Sequence, residues 1–483
     1  MQFNSFAFIL LFMPFTVTAY FLINKISVNI GKLILIISSV LFYACFSLKP
    51  IIFLGVSIGI NFFLVKIIEK RMRWKRISLF IPIFVNIGIL LYFKYFNFAI
   101  ENINEWFSKT YTFNNIMLPV GISFITFQQI AYVVTVYNEE IDKIDIIDYL
   151  VYILYFPKLL MGPLAEPTEF ILQLNEKRLK KVNWDNMACG IKMFCYGLLK
   201  KLMLADVFSQ AVAWGYANME VATSMDWILI MLFYTFEIYF DFSGYSDMAV
   251  GTSLMLNITL PINFDSPYKA VSIRDFWKRW HISLTKFLTK YIYIPLGGNK
   301  RGKIFTYANT IIVFLISGIW HGANWTFILW GILHGLLSVF DRIFENTLKK
   351  VFEPVRWIMT FMFVNFLWLL FRSESITQWC DIIKTIYSFK DTTIHIELMN
   401  VFVLQEITFV TNAIPMIGNL NDLIRGFWML LFTICAFGLC LLPGNNYRRL
   451  RNLSITTMLF SAIAFAWCFI CLSNESVFVY FNF

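Results

Sequence analysis

Long apolar runs separated by short polar stretches dominate the sequence. A helix needs roughly 20 apolar residues to cross a hydrocarbon layer about 30 Å thick, and within lipid only helices and closed barrels satisfy every backbone polar group. Ten runs approach or reach this length, at 5–23, 31–48, 50–68, 77–98, 226–247, 304–320, 322–342, 356–371, 426–442 and 454–472. Less regular apolar segments lie at 117–137, 147–165 and 185–208. The pattern predicts an all-α polytopic membrane protein with about 11–13 membrane helices, re-entrant or interfacial segments included.

The runs are continuous, whereas strands of a membrane barrel alternate apolar and polar residues over about ten positions. Composition agrees, because 59% of the residues are hydrophobic and only 14% are charged. Short loops join the runs, so we expect a single integral-membrane domain over residues 1–483. The first run follows "MQFNS", which has no Lys or Arg, and no clean small-residue cleavage site follows the run. This favours a retained span over a signal peptide.

Basic residues cluster in loops that the positive-inside rule assigns to the cytoplasm. The clusters lie at 70–76, 176–184, 269–303, 348–356 and 447–452. All of them face the cytoplasm if both termini are extracytoplasmic, which is the orientation that we expect. The formal net charge of +10 then reflects topology and anionic lipid headgroups, and no soluble basic surface indicates nucleic-acid binding.

Acidic residues interrupt one long apolar run, "FEIYFDFSGYSDMAVG" at 236–251. Glu237 and Asp241 are four residues apart and share one helix face, while Asp247 follows Gly244, where a helix can loosen. For Glu237 we favour hydrogen bonds to neighbouring helices over a functional role. For Asp241 a packing role and a substrate-binding or donor-binding role both remain open.

Residues 272–303 carry a basic and aromatic amphipathic pattern. The cations are Arg274, Lys278 and Arg279, and the aromatic residues include Trp277, Trp280 and His281. This composition is typical of a helix that lies at the membrane surface. Such a helix either anchors the protein or docks a phosphorylated cytoplasmic donor, since Arg offers phosphate a bidentate fork and Lys a point charge.

A glycine-rich stretch ends this segment. Gly297 to Lys303 matches most of the phosphate loop G-x-x-x-x-G-K-[ST], but Ile304 replaces the hydroxyl residue that would hold magnesium, and no strand precedes the stretch. We therefore expect a glycine turn and not a site of nucleotide hydrolysis.

Residues 316–331, "ISGIWHGANWTFILWG", place His321 in an apolar and aromatic run. A membrane-buried ionisable group is costly and is by default a candidate functional residue. Neutral histidine suits general-base work near neutral pH, but a packing role with Asn324 as a hydrogen-bond partner is equally compatible with these residues. His334 fits a structural role better, and His395 lies in a connecting segment. No two histidines have metal-ligand spacing such as H-x-x-x-H, so we expect no metal site.

Three long motifs, in this order, closely resemble the membrane-bound O-acyltransferase (MBOAT) family in its bacterial alginate and peptidoglycan O-acetylation branch. They are "YFDFSGYSDMAVG", "RDFWKRWHISLTKFLTKYIYIPLGG" and "SGIWHGANWTFILWGILHG". The stretches "LPVGISFITFQQIAYVVTVY" at 118–137 and "YFPKLLMGPL" at 155–164 are also similar to that branch. The similarity covers residues 118–343, the expected catalytic core, and the N-terminal spans fit the family in hydropathy only.

The resemblance implies an MBOAT-type bundle that transfers an acyl group. It maps two family histidines onto this chain, His321 as the essential membrane-embedded residue and His281 as the second. It further implies a thioester donor reached from the cytoplasm, with acetyl-coenzyme A as the expected substrate and no bound cofactor. The acceptor would be an extracytoplasmic esterase-like partner that modifies an exported or cell-surface polysaccharide, and the protein would lie in the bacterial inner membrane.

One stretch departs from the family pattern. In "FPKLLMGPLAEP", Leu164, Ala165 and Glu166 stand where the resemblance leads us to expect a polar and often basic residue soon after Gly-Pro. No donor contact is therefore assigned to this stretch.

The hypothesis that unites these observations is a narrow water-accessible tunnel that crosses the bundle near His321. Neutral His321 takes the proton from an attacking hydroxyl, while Asn324 or the indole N–H of Trp320 or Trp325 stabilises the oxyanion. His281, beside the basic residues, positions the thioester or relays a proton.

Two alternatives remain open. D-alanyl transfer to teichoic acid would draw on a carrier-protein thioester, but the chain length and "IPLGGNKRGK" are more similar to the acetylation branch. A polysaccharide flippase or exporter would also have buried acids in a polytopic bundle. It predicts paired half-chain repeats with broken helices, and none is visible in the sequence.

Overall fold

The computed structural model of the chain describes residues 1–46, 49–70, 75–112, 116, 118–141, 144–403, 421–442, 444–473 and 478. Within these residues every regular element is a helix, which confirms the all-α prediction. A helix satisfies its backbone groups within one segment, and long apolar runs in lipid require this. Part of the first basic cluster, residues 71–74, lies outside the described residues.

Eighteen helices organise the described part of the chain, apart from a few single turns. In chain order they are α1 Ala7–Asn24, α2 Val28–Ala44, α3 Lys49–Glu69, α4 Lys75–Leu90 (continuing through Leu91–Tyr95 and Phe96–Phe107), α5 Ile122–Tyr137, α6 Ile146–Leu154, α7 Pro167–Asn175, α8 Trp184–Leu199 (continuing through Lys200–Ala205), α9 Asp206–Ala217, α10 Ser224–Met255, α11 Ile273–Arg279, α12 Ile282–Leu288, α13 Lys303–His321, α14 Trp325–Ile343, α15 Glu353–Arg372, α16 Ile376–Ser388, α17 Asn421–Leu441 and α18 Ile455–Ile470.

Eight of these helices are long and apolar enough to cross a membrane, namely α1, α3, α4, α10, α13, α14, α15 and α17. Three shorter apolar helices, α2, α5 and α18, accompany them. An apolar run in the sequence predicted each of the eleven. The described part of the chain is thus a multi-pass membrane bundle, as expected.

The apolar segment 147–165 does not form a spanning helix, which corrects that expectation. It forms the short helix α6 and then a mostly irregular stretch, because Pro157 lacks a backbone N–H and Pro163 follows Gly162. Side chains from other elements satisfy the buried backbone here. Ser39 Oγ accepts the N–H of Phe156 at 3.0 Å, and Ser283 Oγ accepts that of Leu164 at 3.1 Å. Irregular backbone is tolerated at membrane depth where protein groups bond to it in this way.

The basic aromatic segment also differs from its prediction. Two short helices, α11 and α12, replace the single surface helix, and they meet at His281, whose backbone is left-handed with φ 44°. Trp277 and Trp280 are buried within the protein and do not lie at a membrane surface. The expected glycine turn is confirmed, because Gly297 and Gly298 have φ of 103° and 55° shortly before α13 begins.

Helix α10 continues unbroken through Gly244, so the loosening expected there is wrong. A Cβ added at Gly244 would lie 2.8 Å from the carbonyl oxygen of Gly197, at the end of α8. Small residues let membrane helices approach closely, and this glycine serves the packing of α8 against α10.

Helices α13 and α14 form an antiparallel hairpin that carries the histidine motif. Gly318 and Gly331 face each other across it, and a Cβ added at Gly318 would lie 3.1 Å from the Cα of Gly331 and overlap the carbonyl oxygen of Phe327. His321 ends α13 at the closed end of the hairpin, about 27 Å along the helix axis from Lys303.

Candidate active site

His321 is enclosed by aromatic side chains and is only 4% exposed. Its ring centroid lies 5.0 Å from that of Trp320, 5.3 Å from Trp330 and 5.4 Å from Phe371. All three rings stand at steep angles to the imidazole, which is a favourable geometry for aromatic contacts. The contacts fix the orientation of the imidazole in largely apolar surroundings.

Asn324 and Trp325, two of the predicted oxyanion donors, are bonded elsewhere. The Asn324 side chain caps α14 by accepting a backbone N–H at 3.0 Å, and it donates to the carbonyl oxygen of Glu374 at 2.7 Å. The indole N–H of Trp325 donates to Asn102 Oδ1 at 2.8 Å. These bonds explain why Asn and Trp stand at the turn, and a role of either residue toward substrate stays a prediction.

Trp320, the third predicted oxyanion donor, lies between the two predicted histidines. Its ring centroid is 5.0 Å from that of His321 and 6.3 Å from that of His281. Among the residues that the structure describes, its indole N–H makes one long contact, 3.5 Å, to the carbonyl oxygen of Ser123. The structure therefore brings both histidines to one aromatic side chain, although they are 40 residues apart in the sequence.

His281 is fully buried, and neither of its ring nitrogens has a hydrogen-bond partner among the described residues. The ring packs edge-on against Phe242 at 4.8 Å between centroids. Buried polar atoms are nearly always paired with protein or water, so both nitrogens remain available to hydrogen-bond a bound polar group.

His334 makes packing and hydrogen-bond contacts of the kind expected for the structural role that its sequence context favours. The indole N–H of Trp277 donates to His334 Nδ1 at 3.2 Å, and the His334 ring packs 4.7 Å from Trp330. Because Nδ1 accepts this bond, the proton of the neutral ring lies on Nε2. His334 thereby links α11, which carries Trp277, to α14.

A cavity of about 90 Å³ opens beside His321. Its walls come from residues 118–124, from Leu160 and Met161, and from Trp320 and His321 at the end of α13. Two stretches that resemble the family, 118–137 and 155–164, thus converge on the histidine. We call this feature the histidine cavity.

Lys94 also lines the histidine cavity, and sequence reasoning missed it. It lies in the π-helical turn Leu91–Tyr95 of α4 and is 9% exposed. Its ammonium donates to the carbonyl oxygens of Trp320 at 2.6 Å and His321 at 2.7 Å. The available signal was a lone Lys within an apolar run, since an intramembrane cation marks a functional residue by default.

A larger cavity of about 280 Å³ is lined by residues of α11, α12, α13 and α14. Arg274, Lys278 and Arg342 give it a basic rim, and Trp277 and Ser317 are among its walls. Ser317 precedes His321 by one helical turn, about 6 Å along the axis. This basic cavity shares no lining residue with the histidine cavity.

The cations predicted to bind a donor differ in how they are paired. Arg274 forms an ion pair with Glu345 at 2.9 Å, and Arg279 is tied to Asp275 at 2.9 Å and lies outside the basic cavity. Lys278 is exposed and makes no ion pair with any described residue. Hydrogen bonds from Lys349 and Arg274 lower the pKa of the Glu345 carboxyl to about 2, so this acid is ionised at any working pH.

Asp241 lies in a buried ion-pair cluster and lines neither cavity. Lys201 donates to Asp241 at 2.7 Å and lies 3.0 Å from Asp206. Opposite charges paired in this way offset the cost of burying them. Its position supports the packing alternative, and a role for Asp241 in substrate or donor binding is untested.

Comparison with known proteins identifies the family of the chain. The sequence model described as "MBOAT, membrane-bound O-acyltransferase family" matches residues 74–377. A "Peptidoglycan O-acetyltransferase" of Helicobacter pylori is 32% identical over 100% of this chain and 97% of the relative. A "Probable alginate O-acetylase AlgI" of Pseudomonas aeruginosa is 35% identical over 80% of this chain and 75% of the relative.

More distant similarity extends to a "Teichoic acid D-alanyltransferase" of Streptococcus thermophilus, 27% identical over 48% of this chain and 59% of the relative. All three relatives are named as acyl-transferring proteins, which favours an enzyme over the exporter alternative. The match of the family model and the full-length similarity agree with the family that the sequence motifs resemble. The chain belongs to the membrane-bound O-acyltransferase family.

Proposed function

We propose that this protein moves an acetyl group from acetyl-coenzyme A in the cytoplasm, across the bacterial inner membrane, to an extracytoplasmic esterase-like partner that acetylates a cell-surface polysaccharide. The observation that carries the proposal is that one helix borders both cavities, since His321 lines the histidine cavity and Ser317, one turn earlier on α13, lines the basic cavity. A transferring enzyme must hold its donor and its acceptor close to the catalytic base, so we assign one cavity to each substrate.

The basic cavity suits the donor. Its rim offers Arg and Lys to the phosphates of coenzyme A, and its volume of about 280 Å³ is enough for part of a pantetheine arm. Two of its cations, Arg274 and Lys278, belong to the basic segment 269–303, which the positive-inside rule assigns to the cytoplasm. In this orientation both termini are extracytoplasmic.

The chemistry follows from the groups around His321. Neutral His321 takes the proton of the acceptor hydroxyl as its oxygen attacks the thioester carbon, and the indole N–H of Trp320 stabilises the oxyanion. Collapse of the tetrahedral intermediate breaks the C–S bond, and the proton passes from His321 to the departing thiolate. The aromatic walls limit the access of water, which would otherwise hydrolyse the thioester. His281 holds a polar atom of the donor or relays a proton.

The names of the relatives support a glycan as the final acceptor. The relatives named for peptidoglycan and alginate acetylation match most or all of this chain. D-alanyl transfer from a carrier protein is the second candidate, favoured only by the weaker match to a teichoic acid D-alanyltransferase over half of the chain.

Inverted membrane vesicles test the proposal. Radiolabelled acetyl-coenzyme A is supplied outside, with an extracytoplasmic acceptor partner inside, and label on the lumenal side is followed for the native chain, His321→Ala and the control His395→Ala. We expect transfer by the native chain and the control and loss in His321→Ala. Absence of transfer by the native chain would reject acetyl-coenzyme A as donor, and equal transfer by all three would return His321 to a packing role.

A further inference from the structure

The C-terminal end of α13 leaves backbone carbonyl groups without hydrogen-bond partners in the helix. The last four carbonyl groups of any helix have no partner within the helix, and they carry the negative end of the helix dipole. In α13 these groups include the carbonyls of Ile319, Trp320 and His321, which lie in the protein interior next to the histidine cavity. Buried carbonyls without partners are costly, so another element must supply donors.

Helix α4 supplies them from two consecutive residues. Lys94 donates to Trp320 O at 2.6 Å and to His321 O at 2.7 Å, and the Tyr95 hydroxyl donates to Ile319 O. Both donors belong to the π-helical turn Leu91–Tyr95. Single π turns are rare in helices and occur frequently at functional sites.

A buried lysine at this position has a desolvation cost that an apolar side chain would not have. Burying an ammonium in a membrane protein is expensive unless it is bonded, and Lys94 is 9% exposed. A cation at a helix C-terminus recovers part of this cost from the dipole. One of the two carbonyls belongs to His321 itself, so any shift of Lys94 acts directly on the backbone that holds the imidazole.

We propose that Lys94, assisted by Tyr95, is a positioning residue that anchors the C-terminal end of α13 and fixes where His321 stands in the histidine cavity. Its effect on catalysis rests on the proposed acetyl transfer, whereas its effect on the structure does not. A misplacement of about 1 Å in a reacting group can cost about 100-fold in rate, so loss of the anchor lowers turnover without removing any group that contacts the donor.

Three variants and one matched control test the inference in nanodiscs. Lys94→Met removes the bonds to the carbonyls of Trp320 and His321. Lys94→Gln keeps an N–H donor but loses the positive charge, and Lys94→Arg keeps the donor and the charge. The control is Lys192→Met, because Lys192 is also buried and donates to three backbone carbonyls, those of Arg449, Leu450 and Asn452, far from α13 in the sequence. Hydrogen–deuterium exchange of peptides covering residues 318–326 is measured beside kcat and the donor KM.

We expect faster exchange at 318–326 and at least about a tenfold fall in kcat in Lys94→Met, with the donor KM unchanged, partial recovery in Lys94→Arg and an intermediate effect in Lys94→Gln. Lys192→Met should leave exchange at 318–326 unchanged. Native exchange and native kcat in Lys94→Met and Lys94→Gln would overturn the inference. So would equal acceleration of exchange at 318–326 in Lys192→Met, which would show general loosening.

The exchange measurement tests the anchoring role independently of activity. If the native chain transfers no acetyl group, the proposed function is rejected, but the anchoring role can still be tested by exchange. If Lys94→Met does not fold, Lys94→Gln provides the same comparison.

Discussion

At the scale of single residues, the surroundings of His321 divide the predicted oxyanion donors into two kinds. Trp320 faces the histidine cavity and has one long N–H contact among the described residues, whereas Asn324 and Trp325 hold the turn between α13 and α14 in place. We therefore predict that Trp320 acts on the substrate and that Asn324 and Trp325 stabilise the turn. Only contacts in the folded chain separate these purposes, since all three residues lie within six positions of sequence.

Asn324→Ala tests this division. Loss of an N-cap typically costs about 1 kcal/mol, so the variant should lower the melting temperature while retaining turnover at saturating donor. Trp320→Phe should instead reduce turnover, because the ring remains and the N–H is lost. Thermal denaturation and initial rates of acetyl transfer measure both effects. Full stability together with lost turnover in Asn324→Ala would place its amide at the reacting group.

At the scale of elements, the hairpin α13–α14 holds the histidine motif in register. Gly318 and Gly331 let the two backbones approach closely, and no larger residue fits at Gly318. Close packing of this kind has few alternative arrangements, so the positions of His321 on one helix and His334 on the other depend on each other.

Gly318→Ala should separate the two helices and reduce both stability and acetyl transfer. The control is Gly88→Ala on α4, where a Cβ would meet no atom within 4 Å and where Ala is favoured in a helix by about 1 kcal/mol. Detergent melting curves and transfer rates of both variants provide the measurement. The packing argument would fail if the two substitutions had the same small effect.

The elements also show what the sequence can predict. Continuous apolar runs predicted the membrane helices because a lipid-exposed run of that length can satisfy its own backbone groups only as a helix. The prediction of a helix at 147–165 was wrong because it relied on the apolar composition of the segment. The hydrogen bonds to Ser39 and Ser283 that stabilise irregular backbone there come from distant positions in the sequence. Likewise, the break at His281 depends on tertiary packing that buries the neighbouring Trp280.

At the scale of the whole molecule, the cations around the basic cavity differ in whether an acidic residue pairs with them. Lys278 makes no ion pair with a described residue, whereas Arg274 is held by Glu345, whose own pKa is lowered to about 2 by Lys349 and Arg274. Because the folded pKa lies below the ordinary value near 4.5, the stabilising effect of this carboxylate is present above pH 4.5 and is lost as pH falls toward 2. Over the working range its charge is constant.

Glu345→Gln should therefore free Arg274 for the donor and lower the KM for acetyl-coenzyme A a few-fold, with little pH dependence of the difference above pH 5. Lys278→Ala should raise the same KM, and the control Lys300→Ala, an exposed cation outside the cavity, should not. Salt should weaken each effect, since exposed charges are screened. An unchanged KM in both Glu345→Gln and Lys278→Ala would remove the donor from this cavity.

The candidate site was predictable only in part. Motifs in the sequence pointed to His321 and His281, and the structure places both against Trp320. Lys94 escaped prediction because a lone intramembrane cation does not reveal its partner, which lies more than 200 residues away. The two cavities could not be predicted from the sequence either, because each is lined by segments that are not adjacent in the chain.

We propose that His321, which lines the histidine cavity, performs the chemical step and is not only a packing residue. The most direct measurement is single-turnover acetyl transfer by native protein and His321→Gln in nanodiscs, with the dissociation constant of acetyl-coenzyme A measured separately on the same samples. Loss of a general base typically costs about 10²–10⁴-fold in rate, so we predict a fall of at least 100-fold with donor binding unchanged. A rate within a few-fold of native, or a loss explained entirely by weaker donor binding, would contradict the account.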